Sequence, residues 1–356
     1  MTKGRLPRRV LIAGNSERPP VMAAMAAAFE RLGIESRRFY TQSCNTWYDR
    51  LWIHTINHYA HTLRLIPKSV DLFKGHPKSH VLYRNRMLVE ACREFKPDLV
   101  FLTRGLRYTI EAIKELREMS TVFCWYTEAE FRYPEVEPEM PFYHRTYFFS
   151  SAGLDFAAAR GYTNVGLLQH AVDTSKFRPL NLPQVYDWCF VGQWHPRRQQ
   201  YLEALAEVSK NYAIYGPRWR KRVWRRPSLW WHIKAPGIWE EDLTRLYNRT
   251  RVVINVNTWG DEKQGGSGVN LRLLEAPACG ACLLTDYAKD AARLLVPGED
   301  LVCAASVKEM QENLAALLAD AARRERIARS GYQKASKVRS YDDMVAQICE
   351  DWQNFR

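Results

Sequence analysis

The sequence predicts an α/β protein built from two doubly wound domains. At 356 residues the chain exceeds what one ordinary core organises, which leaves room for two. Two successive series of short apolar runs alternate with helical stretches, the order that produces parallel sheets with crossover helices. Composition agrees with a packed globular chain: 46% of residues are hydrophobic and 26% charged. No apolar run approaches the ~18 residues that a membrane span requires.

In the first series, residues 9–14 (RVLIAG) read as a strand. Residues 19–32 form an alanine-rich helix that opens on proline and stops at Gly33. Residues 96–103 (KPDLVFLT) and 121–126 (TVFCWY) are further strands, with a last one at 147–151. From about residue 164 the periodicity lapses, and the segment ending in KFRPLNLP reads as a linker. The second series has strands at 187–191, 212–215, 252–256 and 281–285, with helices at 197–210, 240–250, 270–279 and 307–328. A helix of mixed polarity at 341–352 ends the chain. The expected organisation is a first domain over 1–165, a linker over 166–185, a second domain over 186–335 and a terminal segment over 336–356.

Residues 40–80 depart from this rhythm, with Trp47, Tyr48, Trp52, Tyr59 and Leu63 near helical spacing. Such an aromatic stripe is usually core, so the expectation is a pair of helices packed over the first sheet. The functional alternative is a lid that binds an acceptor or docks on a membrane.

Lysine and arginine outnumber aspartate and glutamate by 52 to 39, a formal charge of +13. That balance favours an anionic partner: a sugar nucleotide, an acidic lipid surface or nucleic acid. The eight cysteines are scattered apart from Cys279 and Cys282, which suggests reduced thiols; that pair lacks the companions of a zinc site and the context of a redox motif. The N-terminus runs from a few basic residues straight into a strand, without a long apolar region and cleavage site. The expected location is cytoplasmic, with peripheral contact to an anionic membrane as an open possibility.

Gly265-Gly266-Ser267-Gly268-Val269-Asn270 lies between a buried strand and a helix, where small residues let backbone N–H groups approach an anion. It has neither the Gly-Lys-Ser/Thr of a P-loop nor the acidic residue of a dinucleotide fingerprint. The continuation, NLRLLEAPACGACLLTD, places Glu275 within the helix, where a carboxylate can accept two hydrogen bonds from a ribose diol. Pro277 should kink or shorten that helix, and Gly280 should cap it.

This segment, together with the strand and loop 190–198 (FVGQWHPRR), resembles the second domain of the CgeB-like branch of the group 1 glycosyltransferases. RRVLIAGNS, FKPDLVFLTRG, CWYTEAEF, HAVDTSKFRPL and the turn IYGPRW follow in that family's order. The resemblance implies a GT-B architecture: two doubly wound, Rossmann-like domains facing across a cleft, with the final helix packed back on the first. It implies an enzyme that moves a sugar from a nucleotide-sugar donor to a protein, glycan or lipid-linked acceptor, without metal or other cofactor. Glu275 would then hold the ribose, and Asn270 with neighbouring backbone the phosphates. Tyr215 and Gly216 would flank the base, and Arg197 or Arg198, after Gly192, would neutralise the leaving diphosphate. Gly14, His170, Gly268 and Arg272 complete the expected donor side.

Negative charge grows on the diphosphate as the sugar departs, so fixed arginines and helix N-terminal amides stabilise the transition state more than the ground state. Many retaining relatives carry a second glutamate eight residues before the ribose-binding one. Ser267 stands there, which leaves retention or inversion open. On the acceptor side, Glu128 and then Glu130 are the candidate general bases, just past a strand end. Asp261-Glu262 and Asp342-Asp343 read as surface charges rather than metal ligands.

Residues 218–234 (RWRKRVWRRPSLWWHIK) form the most basic and aromatic run, expected as a flap near the donor base or acceptor, or as a membrane contact. His170 could touch the donor; His195 and His232 have no carboxylate partners at metal spacing. Two competing functions remain open. One is a basic nucleic-acid-binding protein, or a glycosyltransferase that modifies DNA, although no recognised nucleic-acid motif accompanies the charge. The other is a GT-B epimerase or hydrolase of sugar nucleotides.

Overall fold

The computed structural model describes residues 5–15, 20–67, 70–73, 75–103, 108–258, 266–287 and 289–355. Among these residues the strands form two six-stranded sheets with every pairing parallel. The first contains β1 (Arg9–Gly14), β2 (Glu35–Tyr40), β3 (Leu99–Thr103), β4 (Thr121–Tyr126), β5 (Arg145–Phe148) and β6 (Val165–Leu167), in the order β2-β1-β3-β4-β5-β6. The second contains β7 (Tyr186–Val191), β8 (Tyr212–Tyr215), β9 (Ile233–Ala235), β10 (Thr250–Asn255), β11 (Cys282–Asp286) and β12 (Val302–Ala304), in the order β12-β11-β10-β7-β8-β9.

Helices cover both faces of each sheet, so the central strands are continuous apolar runs buried on both sides. The strand order reverses once in each sheet, between β1 and β3 in the first and between β7 and β10 in the second. Outside the carboxyl ends of such strands lies the crevice where ligands bind in open α/β sheets.

Departures from the sequence reading concentrate at edges. β2 carries Glu35, Arg37 and Arg38 on an edge, where charge blunts unwanted pairing, and it has little apolar pattern to read. β6, β9 and β12 have three residues each, and β6 falls at the start of the stretch read as linker. The strand expected at 147–151 is Arg145–Phe148, and Ser151 opens the helix Ser151–Ala158. The helix expected over 307–328 is two, Val307–Ala319 and Ala321–Val338. Asp320 ends the first and caps the second, its side chain accepting from the Arg323 N–H at 2.8 Å.

The final helix, Tyr341–Gln353, lies against the first sheet. Met344, Ile348 and Trp352 are buried with Val10, Phe101 and Trp125. The Tyr147 hydroxyl donates to Asp351 at 2.6 Å, and Trp352 Nε1 donates to the Asp98 carbonyl at 3.3 Å.

The 40–80 region reverses its expectation. A π-helical turn, Asp49–Ile53, runs into the helix His54–Thr62, but only Ile53 and Ala60 of its apolar residues are buried. Trp47, Trp52, Tyr59 and Leu63 lie 55 to 68% exposed. Helical spacing fixes which side chains share a face; it does not say whether anything covers that face.

Candidate active site

The cleft is built at the reversal point of the second sheet. β7 ends at Val191 and is followed by Gly192, while β10 ends at Asn255 and leads to Asn257. The helix Leu271–Ala278 begins beside them, capped by Asn270, whose side chain accepts from the Leu273 N–H at 3.2 Å. Gly265 lies outside the described residues; from Gly266 the loop enters the helix directly. Pro277 sits at the penultimate position of this eight-residue helix. Gly280, at φ 74°, ends it with the paired bonds Gly280 N–H to Pro277 and Ala281 N–H to Ala276.

Beneath the loop lies a buried polar network. The Asn270 amide donates to Asn255 at 2.9 Å and to Asn257 at 2.6 Å, and the Asn255 amide donates to Thr285 at 2.8 Å. Both Asp286 carboxylate oxygens accept the Asn257 N–H at 3.0 Å. The buried Asn257 Nδ2 has no partner among the described residues. A network satisfied nearly throughout fixes side-chain orientation in a low-dielectric setting.

A cavity of about 310 Å³ opens over this network, the size of a small-ligand site. It brings together six residues singled out in the sequence: His170, Gly192, Arg198, Asn270, Arg272 and Glu275. Arg198 donates from Nε to the Val256 carbonyl and from Nη1 to the Gln193 carbonyl, both at 2.9 Å. Arg272 donates to Asn255 and to the Val191 carbonyl, and both guanidinium groups lie over the Phe190 ring. Burial, and then repulsion from Arg272, pulls Arg198 down to about 9. Two guanidinium groups held by neutral acceptors are poised for an anion.

Arg197 is turned elsewhere. It pairs with buried Asp286 at 3.2 Å, donates to the Tyr201 hydroxyl at 3.3 Å, and does not line the cavity. Neighbouring arginines on one helix turn therefore separate into a cleft cation and a structural one.

Glu275 is half-buried at the cavity wall, and desolvation there pushes its carboxyl up to about 7 against the opposing pull of Arg272. His170 is wedged between Trp125 and Phe149, with ring centroids 5.0 and 5.8 Å away. Its Nδ1 has no partner among the described residues, and burial lowers it to about 4, so the imidazole is neutral near pH 7.

The remaining candidates stand outside this cavity. Gly216, at φ 146°, packs on Gly192; a Cβ there would fall 1.9 Å from the Gly192 carbonyl oxygen. Tyr215 lines a neighbouring concavity of about 690 Å³ across the wall formed by Ile238, Trp239 and Glu240. That larger space sets Glu241 and Asp242 beside Arg245 and Arg249, whereas the smaller cavity gathers Lys176, Arg198 and Arg272 around the start of the helix. Gly268 lies against Phe149, just past the end of β5, 2.1 Å from ring carbon to a Cβ built there. Gly14 is buried where a Cβ would meet Thr103 and Met22 within 2.4 Å, a close-packing glycine away from the cavity.

On the opposite rim, Thr127 lines the cavity. Glu128 pairs with Arg132 at 2.5 Å, and Arg132 also grips Glu135 at 2.8 Å. Glu130 reaches across the cleft, accepting the Ser267 N–H at 2.6 Å and its hydroxyl at 2.5 Å. A second contact joins the halves where buried Asp290 accepts the Ser151 N–H at 2.7 Å.

Of the basic run, no residue from 218 to 234 lines either cavity, so the flap expectation has no support in the geometry. Trp219 and Leu229 are core, Trp224 and Trp231 are exposed, and Arg222 and Arg225 stack on Trp194 and Trp224. His195 caps the helix Pro196–Val208, and His232 stacks on Tyr212. Burial raises the thiols of Cys279 and Cys282, which disfavours the thiolate.

Sequence reasoning missed Asn255, Asn257, Trp239, Tyr247 and Lys176. The run VVINVN held a readable signal, two asparagines at the end of a buried strand, where unpaired amides are costly. The other three come from distant segments joined only by folding.

Residues 197–350 match the glycosyl transferase-like family. No curated protein matches the chain. Among solved structures, sucrose-phosphate synthase from Thermosynechococcus elongatus is similar at 12% identity, over 98% of this chain and 99% of that one, with a TM-score of 0.70. Anabaena HepE, solved in complex with UDP and glucose, is similar at 13% identity over 98% and 100% of the two chains, with a TM-score of 0.65. AviGT4, a glycosyltransferase involved in avilamycin A biosynthesis, is similar at 13% identity over 98% of both chains, with a TM-score of 0.62. The chain therefore has the GT-B fold, and its residues 197–350 match the glycosyl transferase-like family.

Proposed function

We propose that the protein transfers a sugar from a nucleoside-diphosphate sugar held in the 310 Å³ cavity to an acceptor hydroxyl presented from the first domain. One observation carries the reading: Arg198 and Arg272, held by neutral acceptors, share a buried cavity with Glu275 and the start of a helix. A diphosphate would supply the missing negative charge, and the helix-start amides would add partial positive charge. Glu275 would accept from the ribose hydroxyls, while Trp239, Tyr247 and Phe177 give the cavity an apolar wall for the base. The fold likeness to HepE, solved in complex with UDP-glucose, agrees with such a donor.

As the bond between the sugar and the diphosphate breaks, the two guanidinium groups meet the charge that develops on the departing oxygen, and divalent metal is not required. Glu130 is committed to Ser267 and is assigned to holding the two domains closed. Glu128, on the same loop beyond Thr127, is left to accept the acceptor's proton.

Calorimetry with nucleoside diphosphates tests the donor site. Glu275→Ala should abolish binding while the melting temperature shows a folded protein; unchanged affinity in that variant would sink the assignment. Full-rate turnover of a sugar nucleotide without acceptor would instead identify a hydrolase or epimerase.

A further inference from the structure

A row of exposed large apolar side chains lies away from the cleft, on the first domain. Trp52, Ile56, Tyr59 and Leu63 follow at helical spacing on one face of the helical stretch from Asp49 to Thr62 and just beyond, and all four are exposed. A different face of the same helix packs inward through Ile53 and Ala60, so the orientation of the outer stripe is fixed. Exposed Trp47 precedes it and exposed Leu65 follows, where the chain turns through Arg64 at φ 58°. Contiguous apolar patches of this kind mark an interaction surface.

Charge identifies the occupant. Among the described residues of 44–80, Arg50, Arg64 and Lys78 are exposed, while the two acidic residues are engaged. Asp49 is buried and accepts the His80 N–H at 2.9 Å, and Asp71 accepts from the Asn57 amide at 2.7 Å. Tryptophan, tyrosine and leucine on an outward face, in a segment whose described residues 44–80 expose cations and no unengaged carboxylate, match the boundary of an anionic bilayer. No described helix is long and apolar enough to cross a membrane, so the contact is peripheral.

We propose that the helix Asp49–Thr62, with its flanking turns, docks the enzyme on the surface of an anionic lipid bilayer. The surface shares no residue with the donor cavity, so this inference stands or falls apart from the donor reading.

The test is cosedimentation of the full chain with vesicles of phosphatidylcholine alone and of phosphatidylcholine mixed with phosphatidylglycerol. Wild type should partition onto the mixed vesicles and release from them as salt is raised. A Trp52→Ala, Tyr59→Ala, Leu63→Ala triple variant should lose at least about a hundredfold in partitioning, because it removes three of the large apolar side chains that would enter the lipid boundary. Its melting temperature and nucleotide affinity should match wild type, because the three side chains are exposed and remote from the donor. Wild type remaining in the supernatant with both vesicle types would overturn the proposal, as would a triple variant that sediments like wild type. Light scattering that shows a wild-type dimer reduced to monomer by the triple variant would also overturn it, assigning the face to a second copy of the chain.

Discussion

The carboxyl ends of the two sheets are built on opposite plans. At the end of the second sheet, Asn255, Asn257, Asn270, Thr285 and Asp286 form a buried network that holds Arg272 and the helix start before any ligand arrives. At the end of the first, the glycine position is filled by Thr103 and Met22, and the charged side chains of the β4 loop sit in partly exposed ion pairs. Partly exposed pairs contribute little stability and rearrange readily, whereas a buried network does not. The end of the second sheet is thus held rigid around its two arginines, and the end of the first is left adjustable, the two being joined by Glu130 and Asp290.

The largest effect should come from the adjustable side. Glu128→Gln should lower turnover by about 10² to 10⁴-fold with donor affinity intact, the range for loss of a general base. If single-turnover rates survive the change, the base lies elsewhere. Glu130→Gln should retain chemistry but weaken the interdomain contact, seen as faster hydrogen exchange around Ser267.

Within the rigid half, the two neighbouring arginines should diverge. Arg198→Ala removes a cleft cation and should reduce kcat by about 10² to 10³-fold with a small change in stability. Arg197→Ala leaves Asp286 buried without its cation and should cost about 3–5 kcal/mol in chemical denaturation. Equal stability losses in the two variants would erase the distinction drawn from their partners.

A smaller effect follows from Glu275. Its folded-state carboxyl is raised from 4.5 to about 7, and the ionised form is the one that accepts from a diol. Donor affinity should therefore weaken by up to about tenfold per unit as pH falls below about 7, and level off above it. The stability sign is opposite. A raised acid favours the fold fully below its unfolded value and loses that contribution as pH rises through the folded one. Near pH 8 the cost is about 3 kcal/mol at most, and Glu275→Gln should remove it. A denaturation profile for that variant parallel to wild type from pH 5 to 8 would contradict the burial argument. The smallest expected change is with chelator, which should leave turnover within about twofold if the arginines replace a metal.

Central strands, most helices and the glycine-to-Glu275 segment were legible because burial on both sheet faces writes continuous apolar runs and helix ends write caps. β2, β6, β9 and β12 were not, because edge strands are charged or too short to show a period. The aromatic stripe at 47–63 was read as core because periodicity reports a shared face and is silent on its cover. Nor could adjacency in sequence separate Arg197 from Arg198, since the choice was made by Asp286, which arrives from β11 some ninety positions later.

By itself, then, the sequence determined two parallel-sheet domains, the helix that presents Asn270, Arg272 and Glu275, and a surplus of positive charge. Only the tertiary structure decided which arginine faces the cleft, that Glu130 meets Ser267 across it, and that an aromatic helix faces outward. Local propensity and burial act through near neighbours in the chain. Charge pairing and solvent exposure depend on segments that meet only when the sheets close.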